Sequence, residues 1–221
     1  MDDHDDFAFE PVPGLPEQLP SGESMLWQGS PEWRRLAVEA FHVRKVAVYF
    51  GLLLSVDLAS AWRDGSSLAA MLSLSAWLVA VAAAAIGILC LLAFLYARGT
   101  IYTLTTRRIV IRSGLALPVT LNLPLALIAS AAVTSEKGGT GSIALTVMKP
   151  NRVAWLVLWP NARPWRLTNP QPMLRCLADV ATVATTVGKA LEADAGIAGV
   201  RLGVAASGAT SPMPAGASFA A

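Results

Sequence analysis

DGSSLAAMLSLSAWLVAVAAAAIGILCLLAFLYAR, from Asp64 to Arg98, contains no Asp, Glu, Lys, Arg or His between its charged ends. About 20 helical residues cross the hydrocarbon core of a bilayer, and a run of this length and apolarity reads as a membrane span. The cleanest stretch is 75–97, closed by Phe94, Tyr96 and Arg98. A shorter span, 46–62, precedes it, follows Arg44 and Lys45, and is interrupted by Asp57. Trp62 and Tyr96 are placed to act as aromatic anchors at the two interfaces. With only Arg63 in the connecting loop, and Arg34, Arg35, Arg44, Lys45, Arg98, Arg107, Arg108 and Arg112 on the flanks, both termini are expected in the cytoplasm. The expected location is a membrane, crossed more than once.

The hairpin accounts for an unusual composition. The 221 residues are 54% hydrophobic and 14% charged, where an ordinary soluble domain has roughly 25% charged residues. The net charge of +2 hides an asymmetry: residues 1–24 carry seven acids and no Lys or Arg, which leaves +9 for the remainder. This acidic, proline-rich arm is expected to be disordered. The basic body is expected to face anionic lipid, with Arg44, Lys45, Arg98, Arg107, Arg108 and Arg112 at the membrane surface. Cys90 and Cys176 are not expected to pair, and no cleavable leader is legible.

Residues 25–45 read as a strand followed by an amphipathic helix, Pro31 to Val43, capped by Ser30 with Pro31 at its first position. Lying in the interface plane and packing on the following domain are equally open to that helix. Beyond Arg98 the period turns strand-like. Thr100–Thr105 and Arg108–Ser113 flank a turn at Thr106-Arg107, and further runs cover 119–123, 125–134, 142–148 and 153–159. Such turn-punctuated strands predict a small antiparallel barrel or sandwich over 98–193. A helix beginning at Asn169-Pro170 and running through Met173, Leu177, Val180, Ala184, Val187 and Leu191 should cap it, and 194–221 reads as a disordered tail. The fold class is therefore membrane α+β.

Little here suggests catalysis. The two histidines are His4 and His42, no metal-ligand spacing or nucleophile elbow occurs, and Gly138–Gly141 fits a hairpin turn better than a phosphate cradle. No enzyme activity, metal, cofactor or nucleic-acid partner is expected. Asp57 lies near the outer end of its span and reads as an interfacial acid without a basic partner, although intramembrane acids often mark function. The notable stretch is WLVLWPNARPWR, 155–166, which holds three of the seven tryptophans. Its prolines rigidify a loop, and exposed Trp and Arg are enriched at interfaces. Trp159, Pro160, Arg163, Pro164, Trp165 and Arg166 are thus the candidate partner-binding residues.

Two resemblances follow from these motifs. YTLTTRRIVIRSG, from Tyr102 to Gly114, resembles the start of bacterial PH-like domains, and GESMLWQGSP, from Gly22, resembles the strand before their membrane hairpin. That implies a bent antiparallel sheet capped by a C-terminal helix. FEPVPGLPEQLPSGESMLWQGSP from Phe9, LNLPL from Leu121, and WLVLWPNARPWR with NPQPMLR through Arg175 resemble the PuhB family of photosynthetic complex assembly proteins of purple-type phototrophic bacteria. The likeness covers about residues 7–193. The family commonly has His where this chain has Asn161. The resemblance implies an assembly factor for the reaction centre, secondarily affecting the core light-harvesting antenna. The implied partners are reaction-centre polypeptides, the core antenna and membrane lipids, with homodimerisation left open. A generic PH-like membrane adaptor and a transporter accessory subunit using Asp57 are the alternatives.

Overall fold

The computed structural model describes residues 14–15, 17–114, 119–136, 138–148, 158–164, 170–195 and 202–206. Strand β1 (Met25–Gly29) is followed by helix α1 (Trp33–Glu39) and by two long helices, α2 (Val43–Arg63) and α3 (Leu68–Arg98). Then come β2 (Ile101–Thr105), β3 (Arg108–Ser113), β4 (Val119–Pro124), a single 3-10 turn (Leu125–Leu127), β5 (Ile128–Ser135), β6 (Gly141–Val147), β7 (Met173–Leu177), α4 (Val180–Ala195) and β8 (Leu202–Ala206).

Helices α2 and α3 are long and apolar enough to cross a membrane by length and composition, and almost none of either is buried inside the molecule. Both exceed the expected 46–62 and 75–97. Ser67 lengthens α3 at its start, where its hydroxyl accepts the Ala70 N–H at 3.3 Å. The turn between them is Asp64 to Ser67.

Among the described residues the strands form two four-stranded sheets, ordered β1-β2-β3-β4 and β7-β6-β5-β8. No ladder joins them, so the barrel is not closed and the architecture is two facing sheets. Tyr102 and Leu104 on β2, Ile109 and Ile111 on β3, and Leu123 on β4 alternate onto one face, where they meet Ile128, Ala131, Val133, Ile143 and Leu145 of the second sheet. Helix α4 lays Val180, Val183, Val187, Ala190 and Leu191 onto this core. Burying each of the Val, Leu and Ile side chains here is worth about 1.5–3 kcal/mol, which makes this stripe the fold's main source of stability.

Several boundaries differ from the sequence reading. The end of the acidic arm is ordered along the first sheet. Leu15 is buried, Gly14 packs against Ile101, and Glu23 binds Arg108. Helix α1 begins two residues late, with Glu32 and not Ser30 at its N-cap. There the Glu32 N–H donates to the Cys176 carbonyl at 2.8 Å, holding the chain extended beside β7. The helix also stops early, because the left-handed His42 (φ 55°) turns the chain into α2. It packs on α3 and β7, with Leu36 and Ala37 buried, so the contact with the following domain expected as one of its two placements is made.

The expected capping helix starts ten residues late. Met173–Leu177 is a buried strand paired with β6, and α4 begins only after Asp179, whose carboxylate accepts the Thr182 N–H at 3.2 Å. Five consecutive buried residues satisfy a strand covered on both faces as readily as a helix. The expected tail contributes β8, parallel to β5. The expected strand at 153–159 lies largely outside the described residues, and Leu158 and Trp159 are not in a strand. The sheet-bearing unit is therefore not 98–193 alone: β1 enters from before the hairpin and β8 from after α4.

Candidate functional site

The hairpin has a fixed register. Ser75 Oγ donates to Asp57 Oδ2 at 2.9 Å, so these residues face each other across antiparallel helices. Counting fourteen residues on from each brings Val43, the first residue of α2, about level with Leu89. Helix α3 continues nine residues further to Arg98, which at 1.5 Å per residue is about 14 Å of overhang. Against that overhang packs α1, with Trp33 edge-on to Phe94 at 6.0 Å. Leu36 of α1, Tyr96 and Ala97 of α3, and Cys176 of β7 form a second small core there, bordered by Ala40 and Phe41.

Into this junction reaches the loop of Leu158 to Pro164. Asn161, 1% exposed, is its centre. Its carbonyl oxygen Oδ1 accepts from Tyr102 Oη at 2.9 Å, while Nδ2 donates to Tyr96 Oη at 3.1 Å. One side chain thereby links the loop, the end of α3 and the start of the first sheet. The Arg175 N–H donates to Tyr102 Oη at 3.3 Å, and Arg175 Nη1 donates to the Pro160 carbonyl at 2.9 Å. Backbone bonds from Met173 N–H to Asn161 O, 2.8 Å, and from Arg163 N–H to Gln171 O, 3.0 Å, stitch the loop to β7. Gly99 completes the joint: a Cβ there would lie 2.7 Å from the Gly114 carbonyl oxygen, so α3 meets the end of β3 at backbone contact.

The titration behaviour of the buried groups fits posts of a hydrogen-bond frame. Burial pushes the Tyr102 hydroxyl well up, so it stays neutral. Burial, then the neighbouring Glu39 charge, raises the Cys176 thiol. Glu39 is itself raised, by burial first and then by the facing Glu136, against opposing contributions from Cys176 and Arg175. Arg35 of α1 reaches Glu136 at 3.4 Å. Among the described residues, no group of three or more His, Cys, Asp or Glu is placed to hold a metal ion.

The sequence-selected residues are distributed unevenly over this joint. Trp159 is 53% exposed and touches Phe41 edge-on at 6.3 Å. Pro160, joined to it by a cis peptide, is buried. Arg163 is partly exposed and donates to Gln171 Oε1 at 3.0 Å; Pro164 is exposed. Trp165 and Arg166 lie outside the described residues.

Of the basic set, Arg44, Lys45, Arg98 and Arg107 are exposed. Arg112 is only 8% exposed, and Arg108 binds Glu23 through Nε at 2.8 Å and Nη2 at 2.9 Å. Burial works against the Glu23 charge, but hydrogen bonds from Arg108 and Thr105, with the charges of Arg108 and Arg107, hold its carboxyl below the usual value. Arg107 stands in the turn beyond the far end of β2, six residues from Ile101 at the end nearest α3, or roughly 20 Å of extended chain. Neither Arg108 nor Arg112 offers a free guanidinium face to a lipid surface. Tyr96, expected at an interface, is buried against Asn161. Tyr102, Arg175 and Glu39 escaped the sequence reading; the one available signal was a lone Arg in the apolar run Met173–Leu177.

A family model for the bacterial PH domain matches residues 48–191. The chain belongs to the bacterial PH domain family. This bacterial PH domain protein is also 38% identical over 194 residues to an uncharacterized 23.7 kDa protein in the puhA 5′ region of Rhodobacter capsulatus, covering 87% of this chain and 90% of that one. No solved structure matches it. The family match begins within α2 and so takes in most of the apolar hairpin as well as the sheets, in keeping with the packing of loop, α3 and β2 into one joint.

Proposed function

We propose that this bacterial PH domain protein is a non-enzymic, membrane-anchored assembly factor that promotes formation of the photosynthetic reaction centre and, secondarily, of the core antenna. The observation that carries the proposal is the relative from the puhA region, within a photosynthesis cluster, which matches almost end to end. The motifs shared with the photosynthetic complex assembly family point the same way. In this reading α2 and α3 cross the inner membrane and both termini lie in the cytoplasm. The strand pairing of β1 with β2 supports a common side, since it holds the chain before α2 beside the chain after α3.

A scaffold needs a rigid relation between its anchor and its binding face, and the Tyr96–Asn161–Tyr102 frame provides one. Clients would be reaction-centre polypeptides held by the part of the loop from Arg163 to Arg166. Tests are direct. Deleting the chain from a phototrophically growing host should lower reaction-centre absorbance, and the tagged full-length protein should retain reaction-centre polypeptides from solubilised membranes. Unchanged absorbance in the deletion strain, with no such polypeptide retained, would refute the proposal.

A further inference from the structure

The hairpin register assigns a depth to the exposed aromatic residues. The turn at Asp64–Ser67 defines one membrane boundary, and about 20 residues of helix span the hydrocarbon. On α2 this brings the other boundary to Val43, and on α3 to about Leu89. Phe41 lies two residues before Val43, and Trp159 rests on Phe41. Trp33 and Phe94, 37% and 39% exposed, lie about one helical turn further out along the α3 overhang.

We propose that Trp159, seated on Phe41, lies in the headgroup layer of the membrane crossed by α2 and α3, making the surface around it a lipid-contact face. The inference rests on reading α2 and α3 as membrane spans. The occupant is set by continuity, because the patch prolongs the end of α2 at the level where hydrocarbon gives way to headgroups. Trp is enriched at that level, with its apolar ring body inside and its N–H toward water. Charge agrees, since exposed Arg44 and Lys45 follow Phe41 in the first turn of α2, where their long side chains reach back to anionic headgroups. The turn at Arg107, a basic site suggested by composition alone, is a strand length away. The lipid-facing feature is therefore an aromatic seat at the helix ends.

Photo-crosslinking of the full-length protein in native membranes tests this. Benzoylphenylalanine is placed in turn at 159, at the exposed mid-span position Val79 and at Arg107, and lipid adducts are read by mass spectrometry. Lipid adducts at 159 and 79, at least several-fold above those at 107, are expected. Adducts at 79 with none at 159, or capture of a polypeptide at 159 in place of lipid, would overturn the seat while leaving the spans intact. Absence of lipid adducts at 79 would overturn the spans and the seat together. As a second measurement, the conservative Trp159→Phe protein is reconstituted in phosphatidylethanolamine and phosphatidylglycerol vesicles carrying brominated acyl chains. It should lose part of the tryptophan quenching of the parent protein; unchanged quenching would count against the seat.

Discussion

The hydroxyl of Ser75 donates to the carboxylate of Asp57 at 2.9 Å, one helix to the other across an otherwise apolar hairpin. Read from sequence as an interfacial acid without a basic partner, Asp57 has a hydroxyl neighbour eighteen residues away, and that bond marks where the faces of α2 and α3 meet. Interhelical hydrogen bonds of this kind are worth about 0.6 kcal/mol on average in a membrane. A double-mutant cycle of Asp57→Ala and Ser75→Ala, read as unfolding in mild detergent, should give a coupling of about that size. Asp57→Asn keeps an acceptor for Ser75 and should retain most of the coupling. Additive single effects would show that the pair does not fix the register.

Glu23 ties the acidic arm to the first sheet, and its pH signature follows from the lowered carboxyl. A carboxyl held below its ordinary value of 4.5 stabilises the fold fully above that value. The contribution disappears as pH falls through the lowered value. Glu23→Gln should cost about 1 kcal/mol at neutral pH. It should also flatten the loss of thermal stability of the full-length protein below about pH 4.5, the ordinary glutamate value. An acid limb as steep in the variant as in the parent would remove Glu23 from the account.

Asn161 is the test of the joint. Asn161→Ala leaves the Tyr96 and Tyr102 hydroxyls short of a partner in a buried site, a cost of about 1–3 kcal/mol for each group left unsatisfied. Amide exchange should accelerate first at the end of α3 and the start of β2, ahead of the main core between the sheets. Asn161→His offers one ring N–H for Tyr96 and one bare nitrogen for Tyr102. It should recover most of the lost protection. Equal destabilisation by Ala and His would mean that shape, and not hydrogen bonding, is what the site requires.

The legible part of this molecule was the part governed by periodicity. An uncharged helical run announced two long apolar helices, shorter than observed, and alternating Ile, Val, Leu and Thr announced β2, β3 and β4 close to their observed limits. The illegible part depended on contacts distant in sequence. Met173–Leu177 carries the apolar spacing of a helix and becomes a strand because β6 offers a paired edge. Glu23 reads as one acid in a soluble arm until Arg108, 85 residues on, is seen beside it. Asn161 reads as a loop residue because nothing local reports that two tyrosines from α3 and β2 converge on it. The tryptophan and arginine content of this loop spoke for surface, whereas its middle, at Asn161, is among the most buried places in the fold.

The pairing of β1 with β2 has a bearing on how the protein is made. Its two strands bracket the whole hairpin, so the amino-terminal strand leaves the ribosome long before its neighbour, with two helices still to be synthesised in between. Until those helices have been delivered, β1 has no edge to join. Once they have been, closing the ladder draws their free ends together on a single face. Completion of the first sheet therefore waits on the hairpin: a chain whose helices failed to bring β2 back would leave β1 unpaired and that side of the core open.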